Sequence, residues 1–416
     1  MEMKKEFMDK QNVLFIGLVW PEPNSSAGGI RTMHLIRLFL AQNWKVTFAC
    51  VAVESEFMAD IKSLGVDTVA IELNNESFDI FIQQLNPTIV LFDRFMVEEQ
   101  FGWRIVQNCP NALRVVETID LHCLRTSRQQ VLKTGEDLRS VLLSSEISKR
   151  EIASIYRSDL SIIISEAEVK ILKEEFEVSD SLLFYLPFLV DSVHVAALSA
   201  YEERKGFITI GNFKHEPNWD SVRYLKEIIW PLIRKQMPDV ELKIYGSYAS
   251  EKILQLHNPK EGFYIMGRAE DAKEVMQQAR VCLAPLRFGA GIKGKLVDAM
   301  LCGTPSITTS IGAEGMCGEM KWNGSVVDDE KRFAAEAVKL YQDKKLWEQA
   351  QQNGFALIEK RFTNTQFNKQ IIKTLLQIQT EIIAHRQNNF TGSMLLHHTM
   401  QSTKFMSKWI EEKNKI

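Results

Sequence analysis

The sequence predicts an α/β protein built from two parallel sheets, each flanked by helices. Three observations carry this reading. Short apolar runs alternate with amphipathic helical segments along most of the chain, the cadence of consecutive βαβ units. The cadence weakens across residues 191–205 and then restarts, as a linker between two domains would make it. Finally, two glycine-bearing stretches, Gly28-Gly29 and Gly289 to Gly294, each follow an apolar run and open a helix. In open parallel sheets that position lies at the ligand-binding edge. A length of 416 residues suits two or three domains.

Taken in order, residues 13–17 form a continuous apolar run, as a strand buried on both faces requires. A polar loop through Gly28-Gly29 leads to an amphipathic helix over 30–42 and a strand over 45–53. Strands follow at 69–71, 88–92 (ending on Asp93-Arg94) and 113–116. Past the last of these lie Thr118, Asp120 and His122, polar residues beyond a strand's C-terminal end and so candidates for a site. One long charged helix is expected over 136–156, and a strand over 158–165. Ser165 then reads as the N-cap of a helix, with Glu168 in the position that completes a capping box. After the linker, strands are expected at 206–211, 241–246, 262–267 and 281–286, with a helix over 221–235 broken by Pro231. Helices over 330–341, 345–359 and 365–385 close the pattern. Residues 386–416 read as an addition carrying Phe390, Met394, Leu395, Leu396, Met400, Phe405, Met406, Trp409 and Ile410 among basic and polar residues.

Composition excludes several classes. Hydrophobic residues make up 45% and charged residues 25%, ordinary for a globular chain. A net charge of −3 gives no general affinity for polyanions, so no nucleic-acid partner is expected. The six cysteines show no C-x-x-C spacing, which points to reduced buried thiols and no metal site. The apolar run after the acidic lead-in of Glu2, Glu6 and Asp9 is short and ends at Pro21, unlike a secretory leader. No apolar stretch reaches membrane-spanning length. A cytoplasmic chain is expected.

The most informative stretch is Arg287-Phe288-Gly289-Ala290-Gly291-Ile292-Lys293-Gly294-Lys295-Leu296-Val297-Asp298. It joins a strand to a helix through three glycines, which allow close backbone approach. The unpaired N–H groups of the helix start, its partial positive charge and two lysines make an anion site there, phosphate being the usual anion. The spacing fits a dinucleotide fingerprint, Gly289-x-Gly291-x-x-Gly294, with Glu314 about twenty residues beyond as the acidic partner. It also fits most of a P-loop, except that Leu296 replaces the hydroxyl residue needed for magnesium.

A third match is longer. The glycine loop, Lys295-Leu296-Val297-Asp298-Ala299, Cys302-Gly303-Thr304-Pro305 and Gly312-Ala313-Glu314-Gly315 together resemble the donor-site motif of retaining GT-B glycosyltransferases of the family-four group. The resemblance implies two Rossmann-like domains facing a central cleft. It divides the chain into an acceptor domain over 1–190, a donor domain over 191–365, a crossover helix over 366–385 and an extension over 386–416. It implies sugar transfer from a nucleotide-sugar co-substrate, with retention and without a metal or other cofactor. Gly289, Gly291, Lys293 and Lys295 would hold the donor diphosphate, Lys214 and His215 would supply the basic loop, and Asp298 would accept from the ribose hydroxyls. The backbone at Gly267 and Arg268 would hold the base, while Glu314 belongs to the last part of the motif. Gly28 and Gly29 would face the donor phosphates, and Asp120 and His122 would orient sugar and acceptor. The main departure is Ala290, where the family pattern has a carboxylate. The acceptor, whether glycan, lipid-linked or protein, is not specified, and surface polysaccharide or glycan assembly is the family's usual setting. The extension reads first as intramolecular packing, with a docking helix, a dimer contact or a peripheral membrane contact as the alternatives. Two other classes remain open: a non-catalytic nucleotide-sugar-binding or assembly protein of the same fold, and an NAD(P)-dependent oxidoreductase reading the glycines as its fingerprint.

Overall fold

The computed structural model describes residues 11–193, 198–363 and 365–415. The acidic lead-in and part of the linker lie outside the described residues. The first sheet has seven strands: β1 (Asn12–Gly17), β2 (Lys45–Cys50), β3 (Asp67–Ala70), β4 (Ile89–Asp93), β5 (Leu113–Glu117), β6 (Leu160–Ile163) and β7 (Leu183–Tyr185). Their spatial order is β3-β2-β1-β4-β5-β6-β7, and every pairing is parallel. The second sheet has six strands: β8 (Phe207–Ile210), β9 (Leu242–Tyr245), β10 (Phe263–Gly267), β11 (Val281–Ala284), β12 (Ser306–Thr308) and β13 (Gly324–Val326). Its order is β10-β9-β8-β11-β12-β13, again all parallel. Helices cover both faces, which is why the central strands are apolar without alternation. The chain is thus α/β with two Rossmann-like units.

Strand order reverses between β1 and β4 in the first sheet and between β8 and β11 in the second. The Gly28-Gly29 segment follows β1 and the Gly289–Gly294 loop follows β11. Each glycine stretch therefore sits at the switch point of its own sheet, where a crevice opens. Gly28 and Gly29 are not a turn but the first helical turn of Ala27–Leu40, capped by the Ser26 hydroxyl accepting from Gly29 N at 3.0 Å. A Cβ at Gly29 would lie 2.4 Å from the Glu22 carbonyl, so only glycine lets the 21–26 loop fold over this helix start.

Four helical expectations change. The helix expected over 136–156 is two, Leu138–Ser144 and Glu146–Arg157, separated at Ser145, whose hydroxyl caps the second. The helix at Pro231 does not break. A π-turn at Leu225–Ile229 places the proline near the start of Trp230–Gln236, where its missing N–H leaves no gap. The helix expected over 365–385 is divided at Glu381 into Gln366–Thr380 and Ile382–Asn388. Ser165 makes no side-chain cap, because Glu168 points elsewhere.

The core of the first unit is completed from the far end of the chain. Ile371, Ile372, Leu375 and Ile378 of Gln366–Thr380 are buried in the same cluster as Val13, Phe15 and Val46. Gln379 Nε2 reaches Gln11 Oε1 at 3.1 Å, and His34 Nε2 meets Asn368 Oδ1 at 3.0 Å. The C-terminal helix Phe390–Asn414 then lies on Phe95–Asn108 and Glu146–Arg157 of the first unit, tied by Asn389 to the Tyr156 carbonyl at 2.7 Å.

Candidate active site

Every candidate residue lies beyond the C-terminal end of a strand or in the helix that follows. From the first sheet come Gly28 and Gly29 after β1, Arg94 after β4, Ile119 to His122 after β5, and Ser165 and Glu168 after β6. From the second come Lys214 and His215 after β8, Tyr248 after β9, Arg268 after β10, Gly289 to Lys295 after β11 and Glu314 after β12. Three non-glycine residues here adopt positive φ: Arg94 (75°), Ile119 (62°) and Tyr248 (62°). Ile119 is the most costly, because a β-branched side chain crowds the backbone in that region. Backbone strain of this kind gathers at functional sites, where surrounding structure holds it in place.

The two units are closed on one another. A Cβ at Gly291 (φ 65°) would lie 2.8 Å from Asp120 Cβ and 3.1 Å from the Ile119 carbonyl. One at Gly294 would lie 2.7 Å from Ala27 Cβ, and one at Gly315 would lie 2.3 Å from Ser165 Oγ. The glycines of the second unit therefore permit direct contact with the first as well as approach to a ligand. Glu168 is the clasp. Its Oε1 accepts from Leu121 N of the first unit and Gly291 N of the second, each at 2.8 Å, while its buried Oε2 has no partner among the described residues. Burial raises the Glu168 carboxyl and lowers the neighbouring Lys293 ammonium, each toward its neutral form. Lys293 Nζ donates to the Gly291 carbonyl at 2.8 Å.

A second clasp is ionic. Arg128 of the helix His122–Thr134 holds both oxygens of Glu314, at 2.6 and 2.8 Å, and the Gly289 carbonyl at 2.8 Å. Glu314 also borders a cavity of about 470 Å³ between Glu166–Glu174 and the segment after β12. A third contact closes the opposite rim, where the Tyr248 hydroxyl donates to Glu22 at 2.8 Å and Arg268 lies over Phe57. There Lys214 sits 3.6 Å from the centre of the Tyr248 ring.

Between these contacts lies a charged pocket. Burial alone would raise the Asp120 carboxyl, but the adjacent Arg125, His122 and His215 bring it down to about 2. His122 Nε2 is 3.4 Å from Asp120 Oδ1, and its ring stands edge-on to Phe95. Burial lowers its imidazole to about 3, so it is neutral at physiological pH. His215 stands across the cleft, within charge range of Asp120, Arg125, Lys295 and Arg94. Lys295 Nζ donates to Asn218 Oδ1 at 2.7 Å, and burial lowers its ammonium to about 8. Asp298 is in the helix one turn further on, with its carboxyl raised to about 6 by burial. Gly267 (φ 73°) has no atom within 4 Å of the position a Cβ would take, leaving the backbone beside Arg268 open.

The structure thus brings Gly28, Asp120, His122, His215, Gly291, Lys293, Lys295 and Glu314 to one cleft. Lys214 and Arg268 stand at its rim, and Asp298 lies behind Lys295. Ala290 is explained by its surroundings: it is buried in an apolar cluster with Leu121, Cys123 and Leu124 of the first unit. A carboxylate there would have no water and no partner from that cluster. Four further residues join the cleft. Glu168 reads in the sequence as a capping residue, and Arg128 sits mid-helix. Tyr248 and Arg94 each follow a strand end, the one signal the sequence carries for them. Among the described residues no cluster of His, Cys, Asp and Glu could hold a metal ion, and no helix is long and apolar enough to cross a membrane.

Comparison with known proteins assigns this geometry. Residues 204–343, which hold β8 to β13 and the glycine loop, match the family described as Glycosyl transferases group 1. The second unit is a group 1 glycosyltransferase domain. No curated protein matches this chain by sequence. Solved structures match its fold. HepE of Anabaena, in complex with UDP and glucose, superposes with a TM-score of 0.64 at 13% identity, over 88% of this chain and 99% of that one. WaaG, a glycosyltransferase involved in lipopolysaccharide biosynthesis, gives 0.61 at 10% identity over 87% and 99%. A mutant of S. aureus TarM in complex with fondaparinux, α-GlcNAc-glycerol and UDP gives 0.58 at 14% identity. That last match spans 71% of this chain but only 58% of TarM. The fold is therefore GT-B. The oxidoreductase reading of the glycines falls with the family assignment, and also because the dinucleotide fingerprint belongs to the first βα turn of its sheet, whereas this loop follows β11.

Proposed function

We propose that the cleft transfers a glycosyl group from a nucleoside-diphosphate sugar, UDP-linked in the first instance, to an acceptor held mainly by the first unit. The observation that carries this is the anion site after β11. Gly289 and Gly291 turn the loop at positive φ, the helix Gly294–Leu301 begins there, and Lys295 stands at its first turn with no carboxylate partner among the described residues. A leaving diphosphate needs charge stabilisation that is in place before the bond breaks, and N–H groups with a fixed ammonium supply it without reorganisation. Lys293, now turned to the Gly291 carbonyl, would be the second cation. Gly267 and Arg268 would take the base, Asp298 the ribose, and Lys214 and His215 the outer phosphate.

Asp120 and His122 would position the sugar and the acceptor hydroxyl. An ionised Asp120 and a neutral His122 are both acceptors toward hydroxyl groups. Transfer with retention and without a metal is part of the proposal, as are a cytoplasmic setting and a role in surface polysaccharide or glycan assembly. The UDP complexes of HepE and TarM favour that base. A contact of the C-terminal helix with a membrane surface or a second copy would lie outside the cleft.

Thermal-shift measurements against nucleotides and nucleotide sugars, with NAD and NADP in the panel, test the donor site. A ligand that binds the folded chain raises its melting temperature with concentration. UDP or a UDP-sugar is expected to do so, and Lys295→Ala is expected to abolish the shift. A shift with NAD or NADP alone would overturn the proposal, and a shift with a GDP-sugar instead would reassign the base.

A further inference from the structure

The C-terminal helix is packed inside out. An amphipathic helix on a globular protein turns its apolar face to the core. Phe390–Asn414 instead buries Gly392, Ser407 and Glu411. A Cβ at Gly392 would lie 2.1 Å from the Tyr156 carbonyl, so this turn lies directly on the first unit's backbone. Ser407 Oγ bonds Asn74 Oδ1 at 3.0 Å, and Glu411 pairs with the buried guanidinium of Arg104. Five large apolar residues face outward, with Phe390 76% exposed, Phe405 64%, Trp409 61%, Met406 59% and Met394 48%, while Leu395, Leu396 and Ile410 are half-buried. At 3.6 residues per turn these five fall within one half of the helix surface. Ile383 of the preceding helix is 72% exposed.

We propose that this face binds an anionic lipid surface, with the helix lying in the plane of the membrane. Charge selects that occupant. The chain as a whole has net charge −3, yet residues 386–416 hold five basic residues (Arg386, Lys404, Lys408, Lys413, Lys415) against two glutamates. Glu411 is turned inward on Arg104 and also takes Lys408 at 2.9 Å, Glu412 is paired with Lys415 at 3.0 Å, and Arg386 is held by Asp159 at 2.8 Å. That leaves Lys404 and Lys413, the latter over the Trp409 ring, with no carboxylate partner among the described residues. Aromatic and methionine side chains bordered by lysines are the composition of an interfacial helix.

The proposal is independent of the donor assignment, and its test leaves the cleft untouched. The full chain is sedimented with phosphatidylcholine vesicles with and without phosphatidylglycerol, and its mass is followed by sedimentation velocity. Wild type is expected to bind the phosphatidylglycerol vesicles, less strongly as salt is raised. Phe405→Ser with Trp409→Ser is expected to weaken binding by about tenfold or more. Lys404→Glu with Lys413→Glu is expected to remove the preference for phosphatidylglycerol. All four side chains are at least partly exposed, so an unchanged melting temperature verifies the fold. Absence of vesicle binding, or binding that the double serine variant leaves intact, overturns the proposal. So does a wild-type dimer that this variant dissociates, which assigns the face to a second copy.

Discussion

Lys295 donates to an asparagine oxygen rather than to a carboxylate, and it is buried enough that its ammonium titrates near 8. A bound diphosphate would restore its charge, so nucleotide binding above pH 8 must take up a proton. UDP affinity should then fall by up to about tenfold per pH unit above 8, as titration calorimetry between pH 7 and pH 9.5 would show. A flat profile would remove Lys295 from the diphosphate. Gly291→Ala adds a Cβ that meets Asp120 across the cleft and forces an L-residue to a φ of 65°. Turnover should drop at least about tenfold while the melting temperature changes by only a few degrees, because the clash lies between units and not within a core. At this scale the sequence was readable where chemistry is written locally. The glycine loop and its lysines could be recognised because spacing alone defines them. Glu168 could not, because its carboxylate acts on Gly291, which is 123 residues away.

Among the elements, the strands were the most legible and the helix boundaries the least. Parallel strands buried on both faces leave uninterrupted apolar runs, whereas Ser145 divides a helix by a choice between continuing and capping that both sequences allow. The Pro231 break failed because a π-turn absorbs the missing donor, an outcome set by packing on the second sheet. The helix Glu166–Glu174 shows a related trade, since it forgoes a capping box so that Glu168 can serve two backbone donors in different units. Glu168→Ala would leave both donors buried and unpaired, at about 1–3 kcal/mol each. Glu168→Gln keeps an acceptor oxygen and should cost less than half as much. Urea unfolding of the two variants compares them, and equal losses would show that the clasp does not depend on the accepting oxygen.

For the whole molecule, the closed state depends on contacts that a substrate must share or displace. Arg128 occupies Glu314 and the Gly289 carbonyl at once, so Arg128→Met should favour the open state and raise the radius of gyration in small-angle scattering, with UDP-sugar partly reversing it. An unchanged radius would show that other contacts suffice. Stability should also depend on acid. Burial lowers His34 to about 4 and His122 to about 3 from an ordinary 6.5, so at these two sites the folded chain binds fewer protons than the unfolded one. Their contribution to stability is complete above pH 6.5 and is lost as pH falls toward 4, by about 3 kcal/mol for each histidine, while the raised carboxyls of Glu151, Glu168 and Asp298 act in the opposite direction. His34→Gln should flatten the melting curve across that range; a curve as steep as wild type would place the loss elsewhere. The two-unit architecture was legible from the restart of the βαβ cadence after residue 205, but the degree of closure was not, because no single segment encodes the fit of Ala27 against Gly294 or of Ala290 against Leu121.

The return of Gln366–Thr380 to the first unit bears on biosynthesis. Residues 11–190 leave the ribosome long before Ile371, Ile372, Leu375 and Ile378 are made, yet those four complete the same core as Val13 and Phe15. The first unit must therefore wait with an apolar flank uncovered while the entire second unit is translated. A nascent chain held at this stage is a natural client for a chaperone, and premature termination before residue 366 would release a product whose fate is degradation or aggregation rather than a working half-enzyme.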